Sequence, residues 1–250
     1  MKRLCYFQKL ALVLMVLMGF SAAAYADSFR LRIEDVGAGV GTVVTDISAS
    51  GVIAFNGAIG GFIVNVTTGL SKPVLGGANN LAELDLNSVN VAGGAGTLRI
   101  TLEDTDYLLG GDGNQLAFLG TVGGTLTAPA LSTVTFNTWV NPDDLVPALG
   151  PDQAVGAIGA IGGIPAGSLA AFGAGVTFGP GAYSAAGGTN FLKTGPYSLF
   201  SQFTLVTTGR DTVSFDLNSQ VVPEPSSMIL LGMGLIGVAA WSRRKVSKDS

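Results

Sequence analysis

The sequence predicts an all-β protein: a β-sandwich or jelly-roll-like exported domain, preceded by a signal peptide and followed by one transmembrane helix. Three observations predict it. Seven short runs alternate apolar with polar residues and are separated by Gly, Asn, Asp or Pro. No stretch between the two ends sustains an apolar stripe of helical period. Each end of the chain carries its own apolar segment with charged flanks.

The N-terminal segment comes first. Lys2 and Arg3 precede the uncharged run "LALVLMVLMGF", and "SAAAYAD" then places small residues at Ala24 and Ala26, an A-x-A site for signal peptidase with cleavage before Asp27. The apolar core is about half of the roughly 20 residues a spanning helix prefers, so residues 1–26 read as a signal peptide rather than a retained anchor.

Cleavage would remove Cys5, the single cysteine, and the chain has no histidine. The mature chain would then have no thiol and no imidazole, which excludes thiol nucleophiles, Cys/His zinc sites and Ser-His-Asp triads. Between Asp27 and Val222, six basic residues stand against fifteen acidic ones, a formal balance of −9. Such a surface repels nucleic acid and anionic headgroups. Charged residues make up 12% of the chain, half the usual share of about 25%. Solubility therefore rests on Ser, Thr, Asn and Gly, a pattern that suits an extracellular β-protein.

Residues 27–220 form one expected domain. "FRLRIEDV" sets Phe29, Leu31 and Ile33 on one face and Arg30, Arg32 and Glu34 on the other. "GVIAFNG", "GGFIVNVTTG", "GTLRITLED", "STVTFNTWV", "SLFSQFTLVTT" and "DTVSFDLNS" repeat the period of two. Leu98, Ile100 and Leu102, and Val213, Phe215 and Leu217, are expected to face inward. A turn is expected at Lys72-Pro73. The segment from Gln153 to Gly188, rich in Gly and Ala and free of charge, reads as loops with short strands. Its glycines lack the strand–turn–helix frame of a dinucleotide site.

Four patterns bear on chemistry. In "EDTDYLLGGDGNQ", Asp104, Asp106, Asp112 and Asn114 are oxygen ligands of the type calcium takes, but the spacing is not an EF-hand. Ordinary turn chemistry explains the same residues more simply. Asp143 and Asp144 in "NPDDLVP" are adjacent and read as a Pro-initiated turn rather than a catalytic pair. The "NVT" at Asn65 reads as a strand with Asn65 and Thr67 facing solvent. Trp139 and Phe136 would make either a sugar platform or, more simply, core. No catalytic residue, cofactor or firm metal site is nominated.

The C-terminal segment, residues 221–250, is the most specific. Met228 to Trp241 are fourteen apolar or glycine residues, about 21 Å of helix against a hydrocarbon core of about 30 Å. Arg243, Arg244 and Lys245 follow as a cytoplasmic stop. Pro223 and Pro225 hold the chain around Glu224 extended, as an enzyme's substrate or as a stiff linker.

"VPEPSSMILLGMGLIGVAAWSRRK" resembles the C-terminal sorting signal of PEP-CTERM proteins, which joins Pro-Glu-Pro, a short helix and an Arg-rich end. "GAIGGFIVNVTTGLSKPV" and "LDLNSVNVAGG" are also similar to β-rich domains found in such proteins. The resemblance implies recognition and cleavage near Pro223, Glu224 and Pro225 by an exosortase, a membrane enzyme of Gram-negative bacteria that make exopolysaccharide. It implies a surface or matrix protein, non-enzymatic, with Glu224 as substrate. The alternative is a module, aided by calcium, that holds secreted polysaccharide.

Overall fold

The computed structural model describes residues 29–46, 48–76, 81–128, 131–147 and 164–223, together with Met233, Leu235 and Ile236. Thirteen strands fill the first five segments: β1 (Arg30–Asp35), β2 (Val40–Thr45), β3 (Val52–Ile59), β4 (Phe62–Leu70), β5 (Ala82–Gly93), β6 (Gly96–Tyr107), β7 (Gln115–Thr127), β8 (Thr133–Asn141), β9 (Leu169–Ala170), β10 (Val176–Phe178), β11 (Gly181–Leu192), β12 (Tyr197–Thr207) and β13 (Asp211–Pro223).

They form two antiparallel sheets. The first runs β10-β8-β12-β6-β1-β2, with β9 also pairing β8, and the second runs β11-β7-β13-β5-β4-β3. From β5 to β8, and again from β11 to β13, each strand crosses to the opposite sheet. All seven alternating runs are strands. β5, β7 and β11 are strands of twelve or thirteen residues that the alternation alone left unnamed.

The core lies between the sheets, and the residues expected to face inward line it. Leu31 and Ile33, Leu98, Ile100 and Leu102, and Val213, Phe215 and Leu217 are all buried. At its centre Phe203 stacks on Phe215 with ring centroids 4.3 Å apart, and Phe136 packs against both at 5.2 and 5.1 Å. Three aromatic rings at van der Waals separation supply burial that this disulfide-free sandwich needs.

The two faces of β1 follow the expected parity, but the polar face is also out of water. Arg32 is 4% exposed and Glu34 0%, and Arg32 Nη2 meets Glu34 Oε1 at 2.7 Å. Residues i and i+2 share a strand face, so this ion pair forms along one strand. The turn expected at Lys72-Pro73 is present and contains a cis peptide bond. The Gly- and Ala-rich segment, where described, contributes β9, β10 and the first part of β11.

Candidate functional site

Three regions concern function: the end of β13, the acidic β6 end, and the outer face of the first sheet. β13 is an interior strand, paired with β5 on one side and β7 on the other. Val221 is fully buried opposite Ala82 and Phe118, and Pro223, opposite Leu116, is the exposed last residue of the strand. A proline fits there because β5 pairs β13 only as far as Val221, so Pro223 has a partner strand on one side alone, as at a sheet edge. The first residue of the Pro-Glu-Pro therefore belongs to the folded sheet, in the extended conformation the sequence predicts.

Glu224, Pro225, Arg243, Arg244 and Lys245, like Ala24 and Ala26, lie outside the described residues. Met233, Leu235 and Ile236 have helical backbone and exposed side chains. Among the described residues no helix is long and apolar enough to cross a membrane.

The candidate calcium ligands do not converge. Asp104 is buried and accepts hydrogen bonds from Ser71 Oγ at 2.5 Å, Lys72 Nζ at 2.9 Å and the Thr105 N–H at 2.8 Å. The same Ser71 hydroxyl meets the Tyr107 phenol at 2.5 Å, and Tyr107 donates to the Glu83 carbonyl at 2.9 Å. Lys72 also donates to the Thr105 carbonyl and lies 4.6 Å above the Tyr107 ring. Burial, with the Asp104 carboxylate close by, pushes the Tyr107 phenol well above its usual range.

Asp112 instead pairs with the buried Lys193, while the Gly113 N–H and the Asn114 carbonyl bond the Lys193 backbone at 2.8 and 3.0 Å. Asp106 turns away at φ 61°, its N–H donating to Asp144 Oδ1 at 2.9 Å. Among the described residues no three acidic groups are placed to hold a metal. Asp104 is committed to a buried network within β6, which the turn reading did not anticipate, and Asp112, in the turn before β7, to a lysine.

"NPDDLVP" is a turn as expected. Asn141 Oδ1 accepts the Asp143 N–H at 2.8 Å, and the Asp144 N–H donates to the Asn141 carbonyl at 3.2 Å. Burial pushes the Asp144 carboxyl up to about 6, against the pull of the Asp106 N–H and with the Asp106 carboxylate adding to the rise.

Trp139 and Phe136 do not form a platform together. They are three positions apart on β8, so they point to opposite faces. Phe136 is core, whereas Trp139 stacks on Phe200 of β12, centroids 5.1 Å apart and 13° from parallel. Around this pair the register sets Glu103 beside Phe200, and Thr101, Gln202 and Asn137 in the adjoining row. Arg30 Nη1 is 3.9 Å from Glu103 Oε1, and Gln202 Nε2 donates to Thr101 Oγ1 at 3.3 Å. Trp139 is partly exposed, whereas Phe200, Glu103, Thr101 and Asn137 around it are buried, and the Asn137 amide donates to the Gly173 carbonyl at 3.3 Å. Phe200 was missed because nothing local says that β8 and β12 pair.

On the second sheet, Asn56, Asn65 and Asn90 stand in one cross-strand row, and Thr67 Oγ1 donates to Asn65 Oδ1 at 3.0 Å. This matches the reading of "NVT" as a polar strand face.

Fold and tail together define a two-sheet antiparallel sandwich whose interior strand β13 runs into a C-terminal sorting segment. Residues 221–245 match the PEP-CTERM protein-sorting motif, so the chain carries that sorting signal. The motif implies an exported protein, sorted by an exosortase to the cell surface or beyond. No curated protein matches the chain.

Among solved structures, it is similar to the enzymatically active domain of bacteriophage CBA120 tailspike protein 4, at 9% identity over 54% of this chain and 17% of that one, with TM-score 0.26. It is also similar to TmCBM61 in complex with β-1,4-galactotriose, at 10% identity over 70% of this chain and 90% of that one, TM-score 0.29. A CBM4 structure aligns at 10% identity over 77% and 85% of the two chains, TM-score 0.24. Scores this low do not bear on function.

Proposed function

We propose that this chain is a non-enzymatic structural protein of the cell surface or exopolysaccharide matrix. It is held briefly by its C-terminal helix and released by exosortase cleavage near Pro223, Glu224 and Pro225. One observation supports this most directly. The first described strand, β1, starts at Arg30, three residues past the expected signal-peptidase cut, and β13 runs to Pro223, the first residue of the Pro-Glu-Pro. A single fold thus occupies the interval between the two processing signals, and the exosortase meets its motif at the end of an interior strand. Expression with and without the exosortase, followed by mass spectrometry of the mature C-terminus, tests the reading. A truncated C-terminus only in the exosortase strain is expected; the same uncut, membrane-held chain in both strains would overturn it.

The Trp139–Phe200 stack favours a second reading, a module that retains secreted polysaccharide. Affinity electrophoresis in polysaccharide gels, with calcium and with chelator, checks it. Retardation of the native chain that Trp139→Ala abolishes is expected. Equal mobility with and without every polysaccharide would remove the reading.

A further inference from the structure

The edges of the two sheets differ. The first sheet ends in short strands, the three residues of β10 with β9 beside it on one side and the six of β2 on the other. One edge of the second sheet is β11, twelve residues in unbroken register with β7 from Gly181 opposite Leu126 to Leu192 opposite Gln115. Among the described residues no strand pairs with its outer side. Alternate residues of such a strand direct their N–H and C=O groups away from the sheet, a template for another strand.

The usual guards against pairing are missing from β11. Neither β11 nor β7 contains a charged residue or a proline. The outer face of β11 carries the small residues Ala182, Ser184, Ala186 and Gly188, followed by Asn190 and Leu192, all exposed and none charged. The opposite edge, β3, differs: its register with β4 shifts between Ile53 and Phe55, and such a bulge bends an edge away from regular pairing. Lys193, directly after β11, is buried and paired with Asp112.

We propose that β11 pairs antiparallel with β11 of a second copy of this chain, joining two second sheets into one continuous sheet about a two-fold axis. The two-fold arrangement presents the same uncharged strand from both copies, so complementarity needs no second surface. Charge permits it despite the acidic balance. At the end of β11 the Asp112 carboxylate is neutralised by Lys193, and within the sheet's outer face the nearest carboxylate is Asp216, on β13, two strands inward. Across the joined sheet the two Asp216 strands lie five strand spacings apart, about 24 Å at about 4.8 Å each. That is about three Debye lengths at physiological salt, so their repulsion is screened.

Sedimentation equilibrium on the purified full chain in detergent tests the pairing. The native chain is expected to be dimeric in the micromolar range. The Ser184→Lys/Ala186→Lys double variant, which puts like charges at the seam, is expected to dissociate at least about tenfold more readily, with an unfolding midpoint equal to the native chain's once both are diluted to monomers. Ala58→Lys on the β3 edge is expected to leave the dimer intact. Hydrogen exchange of the native chain needs no variant: β11 amides should gain protection as concentration rises. A monomeric native chain, a dimer that survives the double variant, or β11 exchange independent of concentration would each overturn the proposal. The outcome is separable from processing, since a dimeric chain left uncut by the exosortase would uphold the pairing and remove the processing role.

Discussion

The Asp35 carboxylate accepts the Gly61 N–H at 2.9 Å, tying the end of β1 in one sheet to the β3–β4 hairpin in the other. Its second oxygen accepts the Ala38 N–H at 3.0 Å in the β1–β2 turn. One buried carboxylate thus closes two turns at one end of the sandwich. Hydrogen bonds to charged groups contribute about 1.5–3 kcal/mol each, so Asp35→Ala should lower stability by about 3 kcal/mol in urea unfolding. Gly60, at φ 56°, would carry a Cβ 2.2 Å from Asp35 Oδ2, so Gly60→Ala should also destabilise. Removing the carboxylate relieves the contacts with Oδ2 and Cγ but leaves the Asp35 Cβ at 2.7 Å, so the double variant should lose less than the sum of the singles. Strict additivity would refute the contact.

Gly124 and Gly123 provide a paired test of close approach. A Cβ at Gly124 would stand 2.2 Å from the Ser214 carbonyl on β13, whereas one at Gly123 meets only the Tyr183 carbonyl at 3.9 Å. Gly124→Ala should cost about 1–3 kcal/mol or more through strain, and Gly123→Ala should stay within about 0.5 kcal/mol of the native chain. Equal unfolding midpoints for the two variants would contradict the packing.

Asp85 sets a pH dependence. Burial, then the Glu83 and Asp216 carboxylates beside it, pushes its carboxyl up to about 6, above the usual aspartate range. A carboxyl raised by folding favours the folded state while protonated. Its contribution is full below about pH 4 and is lost as pH rises through about 6. Asp85→Asn should therefore raise the thermal midpoint at pH 7 and flatten the fall between pH 4 and 6. An unchanged slope in that window would count against it. Asp144, also pushed up to about 6, adds to the slope with the same sign.

Lys72 and Asp104 form a buried pair, with side chains 8% and 1% exposed. Removing one partner of such a pair costs about 3–5 kcal/mol, so Lys72→Met should destabilise by about 3 kcal/mol in chemical denaturation. With Asp104 and Asp112 engaged by lysines, calcium and chelator should leave the thermal midpoint of the native chain unchanged. A rise with calcium would show that these carboxylates regroup around the ion.

Trp139 and Phe136, three residues apart on one strand, should respond differently. Phe136→Ala opens the aromatic core and should cost about 3–5 kcal/mol. Trp139→Ala chiefly loses the stack on Phe200, about 0.5–1.5 kcal/mol beyond its area. Denaturant unfolding ranks the two, and equal losses would place Trp139 in the core instead.

Much of this was legible in the chain. Alternation is local, a consequence of side chains switching faces at each residue, so the inward faces of β1, β6 and β13 could be read residue by residue. The tail was equally legible, because its proline frame, apolar run and basic stop are consecutive in sequence. β7 and β11 were not, since their glycines and alanines blur a period of two. Asp104 and Asp112 share one stretch of chain yet answer to Lys72 and Lys193, each brought from another strand or loop.

By itself, then, the sequence determined the fold class, the inward faces of the alternating strands and the C-terminal sorting motif, all properties of neighbouring residues. The tertiary structure alone decided which strands pair. With that came Phe200 under Trp139, the burial of Arg32 with Glu34, the division of the acidic residues among lysines, and an uncharged β11 at the edge. Strand pairing joins residues far apart in sequence through backbone groups that every residue carries, so no local pattern encodes it.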